Sequence, residues 1–232
     1  MRSALAVLFA LFAAAASAQD LINADRPGIA DGSQTVGARV FQAELGGERD
    51  RFDHAREWST PLLLRYGLSA PFELRVESEG YNSSSGWTPA SIGFKYHFLD
   101  KPSLGILARY FPPFRGQASS ADLRLAADVD LNEQWSLNPN VGVSTQDNGN
   151  GRFTAALAAL TLQYNVSKKV NVFVDGGLQA PEERGGSSSL LLDTGAAWIV
   201  GNDLQLDVEA GWGAHGQSAP NVFIGAGISR RF

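Results

Sequence analysis

The chain predicts an all-β fold: a transmembrane antiparallel up-and-down β-barrel of about 12 strands, with short periplasmic turns and longer extracellular loops. Three observations carry this. Apolar and polar residues alternate with period two in one segment after another. Connections alternate between long polar stretches and short turns built on Gly, Pro, Asn and Asp. The chain ends on such an alternating segment, closed by the aromatic Phe232.

The ending sets the pattern. In Asn221–Phe232 the residues Val222, Ile224, Ala226, Ile228 and Phe232 share one parity, and Gly225, Gly227, Ser229 and Arg231 the other. This length suits a strand crossing a bilayer at a steep tilt. Arg230 departs, falling on the apolar parity, where its stem can lie along apolar surface while the charge reaches water.

At the other end, residues 1–18 read as a cleaved secretory signal peptide. Arg2 gives a positive start, Ala4 to Ala16 an apolar stretch, and Ala16-Ser17-Ala18 a small-residue cleavage site. Residues 19–34 show no period and read as an extended segment that lies across the periplasmic mouth or enters the lumen as a plug. The barrel takes 35–232.

Composition limits the alternatives. There is no cysteine, so neither disulfides nor thiolate metal sites hold the fold. A net charge of −5 argues against a nucleic-acid partner. Mean hydropathy of −0.11 suits strands with one face in water.

Taken in order, the first strand sets Phe41, Ala43 and Leu45 against Gln42, Glu44 and Glu48, and a charged loop follows from Arg49 to Glu57. The second sets Trp58, Leu62, Leu64 and Tyr66 outward, with Leu63 and Arg65 inward. The third has Phe72, Leu74 and Val76 against Glu73, Arg75 and Glu77, then a loop over Tyr81 to Pro89. Strands four and five oppose Ile92, Phe94, Tyr96 and Phe98 to Lys95 and His97, and Ile106, Ala108 and Tyr110 to Leu107 and Arg109. The sixth points Arg124 and Asp128 inward; the seventh does so with Asn138 and Asn140. The eighth, Phe153 to Val166, is apolar on both parities and leaves its register open. Strands nine to eleven turn Asp175, Asp193, Asp207 and Glu209 inward. Outward aromatics would form two rims, with Tyr66, Phe72, Phe98, Trp135, Tyr164, Trp198 and Phe232 at one and Trp58, Tyr110 and Trp212 at the other.

The expected lining is therefore Glu44, Arg65, Arg75, Glu77, Lys95, His97, Arg109, Arg124, Asp175, Asp193, Asp207 and Glu209. Arg65, Arg75, Lys95 and Arg109 would form a basic wall, with the later acids forming an acidic wall opposite. Two readings stay open: a transverse field across a solute pathway, or walls that salt-bridge across a closed lumen. Asp25 and Arg26 read either as a latch holding a plug or as an ordinary ion pair in a turn.

Ala24-Asp-Arg-Pro-Gly28, Ser59-Thr-Pro-Leu-Leu-Leu-Arg-Tyr-Gly67, Phe72-Glu-Leu-Arg75, Gly93-Phe-Lys-Tyr96 and Gly225-Ala-Gly-Ile-Ser-Arg-Arg-Phe232 stand in an order and spacing that resembles the outer-membrane transporter family named for the MetA pathway of phenol degradation. The resemblance runs from about Asp25 to the end. It implies an outer-membrane β-barrel and uptake of small, often aromatic, compounds.

The function expected is a passive channel or porin-like transporter for small aromatic or amphipathic compounds in a Gram-negative outer membrane. Alternatives are a plugged, non-conducting barrel acting through its surface loops, and a soluble periplasmic β-sandwich. No enzyme is expected, since His54, His97 and His215 have no Ser-His constellation around them. Neither is a metal or a cofactor. Partners would be outer-membrane lipid, an unidentified solute, and the barrel-assembly machinery through Phe232. Intact-mass measurement of the exported protein is expected to give a mature chain starting at Gln19; a start within the apolar stretch would refute the cleavage site.

Overall fold

The computed structural model describes residues 21–116, 118–147, 151–216 and 219–232; the signal peptide expected at residues 1–18 lies outside them. Every regular element among these residues is a strand. In chain order they are β1 (Phe41–Arg51), β2 (Arg56–Ser59), β3 (Leu62–Ser69), β4 (Phe72–Ser78), β5 (Tyr81–Asn82), β6 (Gly86–Trp87), β7 (Ser91–Asp100), β8 (Ser103–Phe111), β9 (Ser120–Asp130), β10 (Trp135–Asp147), β11 (Arg152–Ser167), β12 (Val170–Ala180), β13 (Ser189–Ile199), β14 (Leu204–His215) and β15 (Val222–Arg231). Twelve long strands pair antiparallel with their neighbours, while β2, β5 and β6 extend one rim.

The ring closes where β1 pairs with β15, from Gln42 opposite Arg231 to Arg51 opposite Val222. Closure pairs each of the twelve long strands on both sides, the condition for strands to cross a bilayer. It also overturns the soluble-sandwich alternative, which needs two open sheets.

Alternation decides which face is which. Leu74, Val76, Ile92, Leu123, Val141, Val174, Val208 and Ile224 all point out of the ring and are exposed. Meanwhile Gln42, Glu44, Arg65, Arg75, Lys95 and Asp193 point in and are buried. A surface this apolar would aggregate in water; around a barrel it is the lipid belt. Aromatic side chains mark its rims. Trp135 and Tyr164 sit with ring centroids 4.8 Å apart, and Phe41 and Phe232 5.7 Å apart. At the loop side Trp58 and Tyr81 lie 5.2 Å apart. Arg230 places its guanidinium 5.8 Å from the Phe232 ring centre, so its charge rests on the aromatic rim.

Three expectations need correction. The second strand is broken into β2 and β3 at Thr60-Pro61, because Pro61 has no N–H to give the ladder. The charged loop expected over Arg49–Glu57 shrinks to 52–55, since β1 and β2 carry pairing past the lipid belt. Both faces of that ribbon meet water, so its sequence shows no alternation. Tyr81–Pro89, expected as a loop, contains the β5–β6 hairpin. The register of β11 is now fixed: Phe153, Ala155 and Thr161 are buried inside, while Leu160 faces out.

Leu125 lies midway along β9 on the lipid face. Leu125→Arg is expected to destabilise the barrel by about 2–4 kcal/mol in denaturant titration from vesicles. An unchanged midpoint would place this face elsewhere.

Candidate functional site

The lumen is organised around the segment before β1. From Asp25 to Ser33 this chain has no regular structure, yet it runs through the ring and touches strands on all sides of it. A buried irregular backbone needs partners for its amides, and here the barrel wall provides nearly all of them. The N–H groups of Asp25 and Arg26 donate to Glu44 at 3.2 and 2.9 Å. Pro27 has none to give. Gly28 donates to Glu209 at 3.1 Å, and Ile29 and Ala30 donate to Asp175 at 2.7 and 3.2 Å. Asp31 donates to Asn140 at 2.9 Å, and Ser33 to Asp128 at 3.1 Å. Gly32 turns to Asp25 within the segment at 3.3 Å.

Side chains lock the same path. Lys95 donates to Asp25 at 2.8 Å, and the Arg75 guanidinium donates to it as well. Burial alone would raise the Asp25 carboxyl, but Arg65, Lys95 and Arg75 hold it well below the usual carboxylate range. Arg65 is fully buried and lies between Glu73 at 2.9 Å and Glu44 at 3.1 Å. It also donates to the Asn23 and Gln34 carbonyls, at 3.0 and 3.2 Å. On the other side of the segment, Arg26 reaches Asp207 and Glu209, both at 3.3 Å.

The wall is shaped to fit. Gly46 on β1 and Gly227 on β15 face each other, and a Cβ on either would come within 2.6 Å of the Arg26 guanidinium. A Cβ at Gly105 would come within 2.4 Å of the Ser33 carbonyl oxygen. These glycines allow close approach.

All the expected lining residues lie on the inward face, but they do not form two facing walls. The cations are neutralised where they stand. Arg109 is held by Glu77 at 2.9 Å and Asp122 at 2.8 Å. Arg124 reaches Asp31 at 3.2 Å, and Arg75 reaches the same residue at 3.3 Å. His97, near the turn-side rim, contacts Asp100 at 2.9 Å and the Ser33 carbonyl at 3.3 Å. Asp175 accepts backbone amides, and Glu209 accepts one together with the guanidinium of Arg26, rather than either meeting the cations of β3 to β8. Asp25 and Arg26 take separate partners and form no pair in a turn. Glu73, Asp122, Asp128 and Asn140 belong to the network although none was expected as a site; their parity showed the direction they face but not what they meet.

The segment divides the lumen. On the loop side lies a cavity of about 430 Å³ whose floor is Asp25–Asp31 and whose wall includes Glu48, Leu63, Arg109, Asp193, Glu209 and Phe223. On the turn side a cavity of about 330 Å³ is bounded by Asn23, Asp128, Asn138, Lys169 and Gln205. Asp25, Arg26, Pro27 and Ala30 border both. Among the described residues no group of three or more His, Asp or Glu side chains is arranged to hold a metal ion.

A closed ring of lipid-facing strands with a charged interior defines an outer-membrane β-barrel of the channel and porin class. Solved structures share its fold. The COG4313 outer-membrane channel of Pseudomonas putida F1 superposes with a TM-score of 0.62 at 15% identity, covering 89% of this chain and 99% of that one. The NanC porin superposes with a TM-score of 0.60 at 10% identity, covering 81% and 97%. The KdgM porin, solved in complex with disordered oligogalacturonate, gives 0.60 at 10%, covering 82% and 99%. A search of curated protein sequences finds no match. The chain belongs to the family described as "Putative MetA-pathway of phenol degradation", whose profile matches residues 24–232.

Arg65→Met keeps much of the side-chain volume but leaves Glu44 buried without its cation and Glu73 with Arg75 alone, at 3.3 Å. We expect it to cost about 3–5 kcal/mol of stability in urea titration, with Arg65→Lys intermediate. A loss below about 1 kcal/mol would mean the cluster contributes little.

Proposed function

We propose that this barrel is a narrow channel for small aromatic or amphipathic compounds, and that solutes pass when the segment before β1 shifts within the lumen. One observation carries the reading: Asp25, Arg26, Pro27 and Ala30 are at once floor of the loop-side cavity and roof of the turn-side one. A solute crossing the membrane meets this segment whichever side it enters. The residues proposed to line its path are the inward Glu44, Glu77, Arg109, Asp193 and Glu209 above the segment, and Lys95, His97 and Asp207 at and below it. The apolar Leu63 and Phe223, bordering the upper cavity, suit an amphipathic solute better than a sugar. No catalytic role is proposed for any of these side chains. Phe232, outward and with its ring tilted against that of Phe41, is the residue we propose the barrel-assembly machinery reads.

The chain's lack of cysteine makes a direct test available. A Cβ built on Gly177 would lie 3.5 Å from the Ile29 Cβ, within disulfide range. Ile29→Cys with Gly177→Cys is expected to form a cross-link that slows liposome swelling in small solutes, with reductant restoring the rate. Equal rates in the oxidised and reduced states would rule out a moving segment. No permeation in either state, nor in the parent protein, would favour the plugged, non-conducting barrel.

A further inference from the structure

Among the described residues that border the upper cavity, one carboxylate is buried with both oxygens unpartnered. Asp193 on β13 is 4% exposed, and neither carboxylate oxygen has a hydrogen-bond partner. Directly across the ladder stands a second carboxylate, Asp175. That one is engaged by the amides of Ile29 and Ala30 and by the Thr161 hydroxyl at 2.9 Å. Like charges facing each other across a sheet repel, and an unpaired buried charge is costly.

The cations that border this cavity are all committed elsewhere. Arg109 is held by Glu77 and Asp122, Arg75 by Asp25 and Asp31, Arg124 by Asp31, and Arg26 by Asp207 and Glu209. Nine carboxylates border the cavity against four guanidinium groups, so it attracts cations and repels anions. The carboxylates are not grouped to chelate a metal. Beside Asp193 the wall is apolar, with Leu191 and Phe223 bordering the same space.

We propose that the loop-side cavity binds a monovalent organic cation, an ammonium group on a small apolar body, with Asp193 as its counter-ion. A volume of about 430 Å³ accommodates such a molecule. Asp193 receives the charge with Glu209 nearby on the next strand, and Phe223 and Leu191 cover the apolar part. The proposal deepens the channel reading and rests on it for the solute's route, while binding itself requires no flux.

The test is calorimetric titration of the purified full-length protein in detergent with 2-phenylethylammonium and its neutral and anionic counterparts, 2-phenylethanol and phenylacetate. The ammonium is expected to bind about tenfold or more tightly than the alcohol, with no heat from phenylacetate. Asp193→Asn should abolish that preference and Asp193→Glu should retain it, with heat-modifiable gel mobility confirming that each variant is folded. Equal affinity for ammonium and alcohol, no binding of either, or an undiminished preference in Asp193→Asn would overturn the proposal. Ammonium binding without permeation would end the channel reading and leave the site standing.

Discussion

Irregular backbone inside a membrane barrel is tolerable only if its amides are satisfied by something other than water. In this protein the partners are carboxylates and one carboxamide projecting from strands around the ring, with Asp25 of the segment itself serving Gly32. Between Asp25 and Ser33 each N–H finds a side-chain oxygen, and the one residue without an N–H is Pro27. The rest of the lumen follows from this. Glu44, Asp175 and Glu209 point inward to hold a chain. Arg65, Arg75 and Lys95 then offset the negative charge concentrated around Asp25 and Glu73.

The same constraint explains the acidic balance of the chain. A carboxylate accepts several hydrogen bonds and donates none, so a wall that must receive backbone N–H groups is richer in Asp and Glu than in Lys and Arg. The excess becomes visible where the segment does not reach. Above its floor, Glu48 and Asp193 border space rather than peptide. Lumen electrostatics therefore differ on the two sides of one short stretch of backbone.

Much of the architecture was legible in the sequence because a lipid-facing strand exposes one parity to hydrocarbon. Leu74, Val76, Ile92 and Val208 signal that face as plainly as Arg65 and Lys95 signal the other. What parity cannot supply is the partner. Arg65 was readable as inward, but its bond to Glu73, eight residues on, depends on how β3 and β4 register. Polar ribbons beyond the lipid belt, such as Asp50–Arg51 against Arg56–Glu57, carry no alternation and so look like loop in the sequence. The segment around Arg26 was harder still: aperiodic backbone gives no direction, and its location is written in the glycines opposite it. Gly46 and Gly227 looked like small strand residues until the guanidinium they accommodate was known.

Those two glycines sit on the first and last strands of the ring, across the seam that closes it. Arg26 also reaches Asp207 and Glu209, about 180 residues further along the chain. The segment before β1 thus has a complete set of partners only where the final hairpin, β14 and β15, is in place. The contacts that seat the start of the segment are therefore complete only in the closed ring, where the two ends of the barrel meet.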